Sequence, residues 1–148
     1  MTTILEHRHG TALDQPLTAA TTLPRVPYSA RDARHWIIGV LTAWGVPEGE
    51  RETAELLVSE LVANAVKHAQ GDGDTTITAA WHLGAVRITV SDPDGDHRAP
   101  AGHGHAVDTD SEDGRGLLIV RALADSYAVE CTPFGKVTRV VLNTGGAR

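Results

Sequence analysis

Glu60-Leu61-Val62-Ala63-Asn64-Ala65-Val66-Lys67-His68-Ala69 is the stretch on which the reading of the fold turns. It closes a longer amphipathic pattern. Ala54, Leu57, Val58, Leu61, Val62 and Ala65 recur at helical spacing, so a helix is expected from about Glu48 to Ala69. The run Gly71-Asp72-Gly73-Asp74 breaks it. At about 100° per residue, Glu60, Asn64 and His68 form one line along a flank of that helix, beside Leu57 and Leu61. Polar groups at such an edge are partly desolvated and need partners. The carbonyl oxygen of Asn64 suits a magnesium ion that keeps most of its waters and takes phosphate oxygens. Glu60, one turn earlier, could polarise a hydroxyl or a water. The bland reading stands beside this one. An isolated Glu-x-x-x-Asn is a common pattern, with the Glu solvated and the Asn a satisfied border residue. His68 suits the negative end of a helix dipole, and Lys67 reads as solvent-facing although it could reach a phosphate.

Outward from this helix, the preceding residues supply another. Ser29 is expected as an N-cap, with Asp32 at the reciprocal position of a capping box. Ala33, Trp36, Ile37, Val40, Leu41 and Trp44 follow at helical spacing, Gly45 ends the helix, and Pro47 leads to the next. Pro24 and Pro27 bracket a short extended piece. Residues 1–22 lack periodicity and read as a flexible leader with room for one added edge strand.

On the other side, Thr75 to Trp81 reads as a strand, and Val86, Ile88 and Val90 alternate with Arg87, Thr89 and Ser91 in a second. Leu83-Gly84 is the expected hairpin turn between them. Asp92 to Gly116 is a long polar loop, of the kind that is usually functional or disordered. A third helix is expected from about Gly116 to Ala124. Ser126 to Cys131 and Lys136 to Asn143 then form a hairpin that turns at Pro133-Phe134-Gly135. This order predicts one α+β domain over 23–144 with a short tail, 145–148. Its architecture is a two-layer sandwich of a mixed or antiparallel sheet with helices on one face.

Composition narrows the function. Aromatic residues make up only 4%, so the core must rest on Val, Leu, Ile and Ala. The lone cysteine, Cys131, excludes a disulfide framework and fits a reducing compartment. No opening stretch reads as a signal peptide and no apolar run approaches the roughly 20 residues of a membrane span, so a cytoplasmic protein without membrane attachment is expected. A formal charge of −6 argues against a general affinity for nucleic acid, though not against a small polyanion met by local donors. His97, His103 and His105 invite a zinc reading, but their spacing matches no metal motif and no Cys lies near.

Two further segments carry chemistry. Asp92 directly follows an alternating strand, where a carboxylate could accept a hydrogen bond from an exocyclic amine and so tell adenine from guanine. Asp92-Pro93-Asp94-Gly95-Asp96 is equally a good turn sequence with no ligand. In Glu112-Asp113-Gly114-Arg115-Gly116-Leu117, a glycine pair opens a helix, where backbone N–H groups can approach an anion and Arg115 or Arg121 could add a contact. The segment is neither a Walker loop nor a dinucleotide fingerprint.

Each motif is weak alone, but their order is informative. Glu60 to Ala69 resembles the N box of the GHKL ATPase superfamily, Asp92 the start of its G1 box, and Gly114-Arg115-Gly116-Leu117 its G2 box. The resemblance spans about residues 25–143 and is strongest to anti-sigma-factor serine/threonine kinases of the actinobacterial type. It implies a Bergerat-type ATP-binding fold. By the match, Asn64 holds Mg²⁺ and Glu60 is the catalytic base. Asp92 binds the adenine amino group, and Gly114 and Gly116 lie at the phosphates. The ATP site would also draw on Lys67, His68, Gly95, Arg115 and Leu117, and the loop from Asp94 to Asp113 would be the lid. The implied partners are a sigma factor and a STAS-type anti-anti-sigma protein bearing the acceptor serine or threonine. A homodimer is left open. One departure stands out: Asp94 and Asp96 occupy positions where the G1 pattern has glycines, and two added carboxylates near a triphosphate would repel it. A non-catalytic adaptor that sequesters a partner, with or without nucleotide, is therefore the alternative. The ATP-binding half of a histidine kinase ranks third, since no phosphoacceptor hairpin precedes the domain in this sequence.

Overall fold

The structure is a computed structural model that describes residues 3–6, 15–67, 73–92, 112–133 and 135–145. The chain order is β1 (Thr3–Glu6), β2 (Leu17–Leu23), α1 (Ser29–Trp44), α2 (Glu48–Lys67), β3 (Thr75–His82), β4 (Ala85–Asp92), α3 (Glu112–Leu123), β5 (Ser126–Thr132) and β6 (Gly135–Asn143). The strands form one sheet in the order β1-β2-β3-β4-β6-β5, and every pairing is antiparallel. The architecture is α+β, and of the two sheet types expected the described strands form the antiparallel one.

Alternation decides which sheet face is covered. Ala19, Thr21 and Leu23 of β2, Thr75, Ile77 and Ala79 of β3, and Val86, Ile88 and Val90 of β4 are buried. Their neighbours Thr78 and Arg87 are exposed. Against the buried face lie α1 and α2, which pack on each other through Ile37, Leu41, Leu57, Val58, Leu61 and Val62. The core is aliphatic, as the scarcity of aromatics requires, with Trp44 as its one buried aromatic among the described residues.

Local chemistry sets the ends of the elements. Gly45 sits at φ 82°, and its N–H bonds back to Thr42 while the N–H of Val46 reaches Leu41, a Schellman closure of α1. The expected capping box at the other end of α1 does not form. Tyr28 is the N-cap without a side-chain cap, and Ser29 is instead the first helical residue, buried, its Oγ donating to Pro24 O at 2.5 Å. The backbone turn Val26–Ser29 takes that hydroxyl's place in ordering the entry, with Ser29 N–H on Val26 O at 2.9 Å. At the β3–β4 hairpin, Leu83 and Gly84 both have positive φ, 51° and 74°, as a type I′ turn demands.

Two boundaries differ from expectation. Strands β1 and β2 lie in or begin in the stretch read as a leader, and β2 pairs with β3 along its whole length. Its signal is faint because Ala and Thr, not large apolar residues, mark the buried positions. Helix α3 begins at Glu112, four residues before the expected start. Among the described residues no helix is long and apolar enough to cross a membrane.

Candidate functional site

Helix α2 carries the polar flank that its sequence pattern predicts. Its apolar stripe, from Ala54 to Ala65, is buried against α1 and the sheet. Glu60 and Asn64 lie beside that stripe, both half-buried, and Lys67 is exposed in the last turn. His68, the third member of the line, lies outside the described residues, as do Gly95 and the three loop histidines.

Asp92 is the last residue of β4 and is buried on the helix-facing side, in phase with Val86, Ile88 and Val90. Thr75 and Asp92 sit one step beyond the Thr76–Ser91 pair on neighbouring strands, and Lys136 of β6 is the register partner of Asp92. The seven residues 68–74 join the last turn of α2 to this end of the sheet.

Asp92 has a partner that sequence pattern does not reveal. Arg25, in the connection from β2 to α1, donates from Nη1 to Asp92 Oδ1 at 2.5 Å and from Nε to Gly73 O at 2.6 Å. Both charged side chains are sequestered, Arg25 at 2% exposure and Asp92 at 7%. The only hint in the sequence is a lone cation inside Leu23-Pro24-Arg25-Val26-Pro27, a stretch otherwise apolar. A buried guanidinium needs a carboxylate, and nothing local supplies one.

Gly114, Arg115, Gly116 and Leu117 fall within α3, whose described backbone is helical from Glu112. Gly114 therefore belongs to the first turn, where amide groups lack helical acceptors, and Gly116 lies just past it. The glycine pair lies in the opening of the helix, which starts at Glu112 rather than at about Gly116. α3 packs on α2, with Val120 buried.

The donor set fits a magnesium nucleotide. Asp92 offers a carboxylate to an amine, Asn64 a neutral carbonyl to a hard cation, and Glu60 a proton acceptor on the same helix flank. The Oγ1 of Thr75, 1% exposed and next to Asp92 in the sheet, is a buried hydroxyl with no hydrogen-bond partner among the described residues. Such an orphan is costly in a finished core and ordinary at a ligand site. Among the described residues no group of three or more His, Cys, Asp or Glu side chains could hold a metal by itself, so a cation here would depend on oxygen ligands from the nucleotide.

Helices over one face of an antiparallel sheet are consistent with the fold of the GHKL class. Residues 23–142, most of the chain, match the histidine kinase-like ATPase domain family, and the chain belongs to that family. A solved structure of similar fold is the crystal structure of the RsbU and RsbW domains of Rv1364c from Mycobacterium tuberculosis, with TM-score 0.67 and 22% identity. The match covers 88% of this chain and 32% of that one, so this chain spans about a third of the length of that solved chain. No curated protein sequence matches it.

Proposed function

We propose that the chain is an ATP-binding regulatory protein, an anti-sigma factor that phosphorylates a serine or threonine of a STAS-type anti-anti-sigma partner. The observation that carries this reading is the polar flank of α2, with Glu60 and Asn64 half-buried beside the core of a histidine kinase-like ATPase domain. Likeness to a structure that contains an RsbW domain supports the choice of partner class. Bound magnesium ATP supplies the transferable phosphoryl group. Asn64 Oδ1 would hold the cation, Asp92 would accept from the adenine amine, and Glu60 would take the proton of the attacking hydroxyl. Amides of the first turn of α3 would meet the phosphates, where the helix dipole favours negative charge. The working compartment is the cytoplasm.

The direct experiment pairs magnesium-dependent ATP titration with a phosphorylation assay on a STAS-domain substrate. Glu60→Gln should reduce transfer by about a hundredfold or more while ATP affinity holds. Asn64→Ala should weaken magnesium ATP by about tenfold or more. Normal transfer by the Glu60 variant removes the base assignment. A second reading, a nucleotide-gated adaptor without transfer, is favoured by Asp94 and Asp96 in place of glycines. It predicts saturable ATP binding and partner capture with no phosphoserine or phosphothreonine formed.

A further inference from the structure

We infer that Arg25 is a positioning residue for nucleobase recognition, acting through Asp92; the inference rests on the ATP-site reading above. Three observations meet at one point. The Arg25 guanidinium bridges Gly73 O, just before β3, and Asp92 Oδ1, at the end of β4. It reaches both from the connection between β2 and α1, so it ties three chain segments at the end of the sheet where the buried hydroxyl of Thr75 has no partner among the described residues. Both charges are almost wholly withdrawn from water.

Two roles are open to a cation in that place. It could compete with the base amine for the carboxylate, or it could hold the carboxylate ionised and aimed while the base binds. The balance of bonds decides. Displacing Arg25 would break at least its charge-assisted bonds to Asp92 and Gly73 and strand a guanidinium in the core. The base amine would return a single bond from a neutral donor. A carboxylate has about four acceptor sites on its two oxygens, so sharing is chemically ordinary. Arg25 therefore stays, and a nucleotide binds to the pair.

Selectivity follows from the charge. An ionised carboxylate accepts from the amine of adenine and repels the O6 lone pairs of guanine. Without the guanidinium the carboxyl group loses the charge-assisted bond that fixes its orientation, and a group free to turn discriminates less between the two base edges. Loss of Arg25 thus costs discrimination as well as affinity. The fold constrains the substitute: a lysine ammonium keeps the charge but lacks the rigid fork that meets Gly73 O and Asp92 together.

The test measures ATP and GTP dissociation constants, with magnesium, for the wild type, Arg25→Met and Arg25→Lys. Each is read at a temperature where melting curves show the variant folded. Arg25→Met should bind ATP about tenfold or more weakly, with its ATP-to-GTP preference falling toward one. Arg25→Lys should keep both the affinity, within about threefold, and the preference despite a lower melting temperature. A purely structural role predicts lowered melting in both variants with unchanged constants and preference in the folded protein, and that result overturns the inference. If Arg25→Met does not fold, Arg25→Gln, which keeps polar donors without the charge, takes its place: a fall in ATP affinity and in ATP-to-GTP preference in the folded variant supports the inference, and unchanged constants and preference overturn it. Tighter ATP binding by either variant would establish competition and refute it as well. Absence of saturable ATP binding by the wild type would remove the proposed function and this inference with it, whereas wild-type binding with indifferent variants removes the inference alone.

Discussion

Replacing Asp92 by Asn, the obvious way to probe base recognition, will destabilise the protein before it reports on any ligand. The substitution leaves the Arg25 guanidinium, at 2% exposure, facing a neutral amide where it had a carboxylate, with its bond to the Gly73 carbonyl intact. Removing one partner of a buried ion pair typically costs about 3–5 kcal/mol, most of it the desolvation of the charge left behind. The Asn oxygen can still accept from Nη1, which places the loss near the lower end, about 3 kcal/mol. For a domain of this size each kcal/mol moves the melting temperature by roughly 3–4 °C, so Asp92→Asn should melt about 10 °C lower. The double variant Asp92→Asn, Arg25→Met removes the stranded charge and should recover part of that loss, with a coupling of about 1–3 kcal/mol in a double-mutant cycle. Chemical denaturation of the four proteins without nucleotide gives the cycle directly. A loss under about 1 kcal/mol for Asp92→Asn, or additivity within about 0.5 kcal/mol, would refute the buried pair as a stabilising unit. The consequence is practical: loss of ATP binding in Asp92→Asn supports base recognition only if the variant is shown to be folded at the temperature of the titration.

Leu83 occupies a positive-φ turn position at φ 51° and exposes most of its side chain. Leu83→Asn should therefore raise stability by about 1 kcal/mol, and an unchanged or lower denaturant midpoint would contradict the turn assignment. Burial pushes the Tyr127 phenol above its ordinary value of 10.0, and Arg121, stacked 5.8 Å from the ring centroid, pulls the other way. The folded value is raised, so Tyr127 contributes stability that is complete below about pH 10 and lost as pH climbs through the folded value. Tyr127→Phe should lose less stability than the wild type as pH climbs above about 10, and parallel losses in the two proteins would remove the effect.

The parts of the fold that were legible in the sequence are those where one rule acts without competition. The stripe Ala54 to Ala65 is a strong 3.6-residue pattern, and α2 follows it. Gly45 and Leu83-Gly84 sit where positive φ is required, and both terminations fall as expected. The missed features share a different physics. Ser29 and Asp32 satisfy a capping-box pattern, yet the proline-bracketed turn before α1 supplies its own backbone bonds and turns Ser29 inward to Pro24. In β2 the buried positions are Ala19, Thr21 and Leu23, and small residues give little amplitude to a period of two. Their burial is imposed by pairing with β3, a long-range fact.

The candidate site divides along the same line. Glu60 and Asn64 are four residues apart on one helix, so helical geometry alone aligns them. Arg25 and Asp92 are 67 positions apart, and no periodicity could join them. What joins them is the sheet: β2 ends beside the start of β3, β3 starts beside the end of β4, and the β2–α1 connection must pass over that corner. A cation carried there by the chain path meets a carboxylate fixed there by strand register, in a place from which water is excluded. Neither residue could be buried alone, so each supplies the condition for the other. That mutual dependence is what lets the pair sit on the core side of the sheet, withdrawn from water.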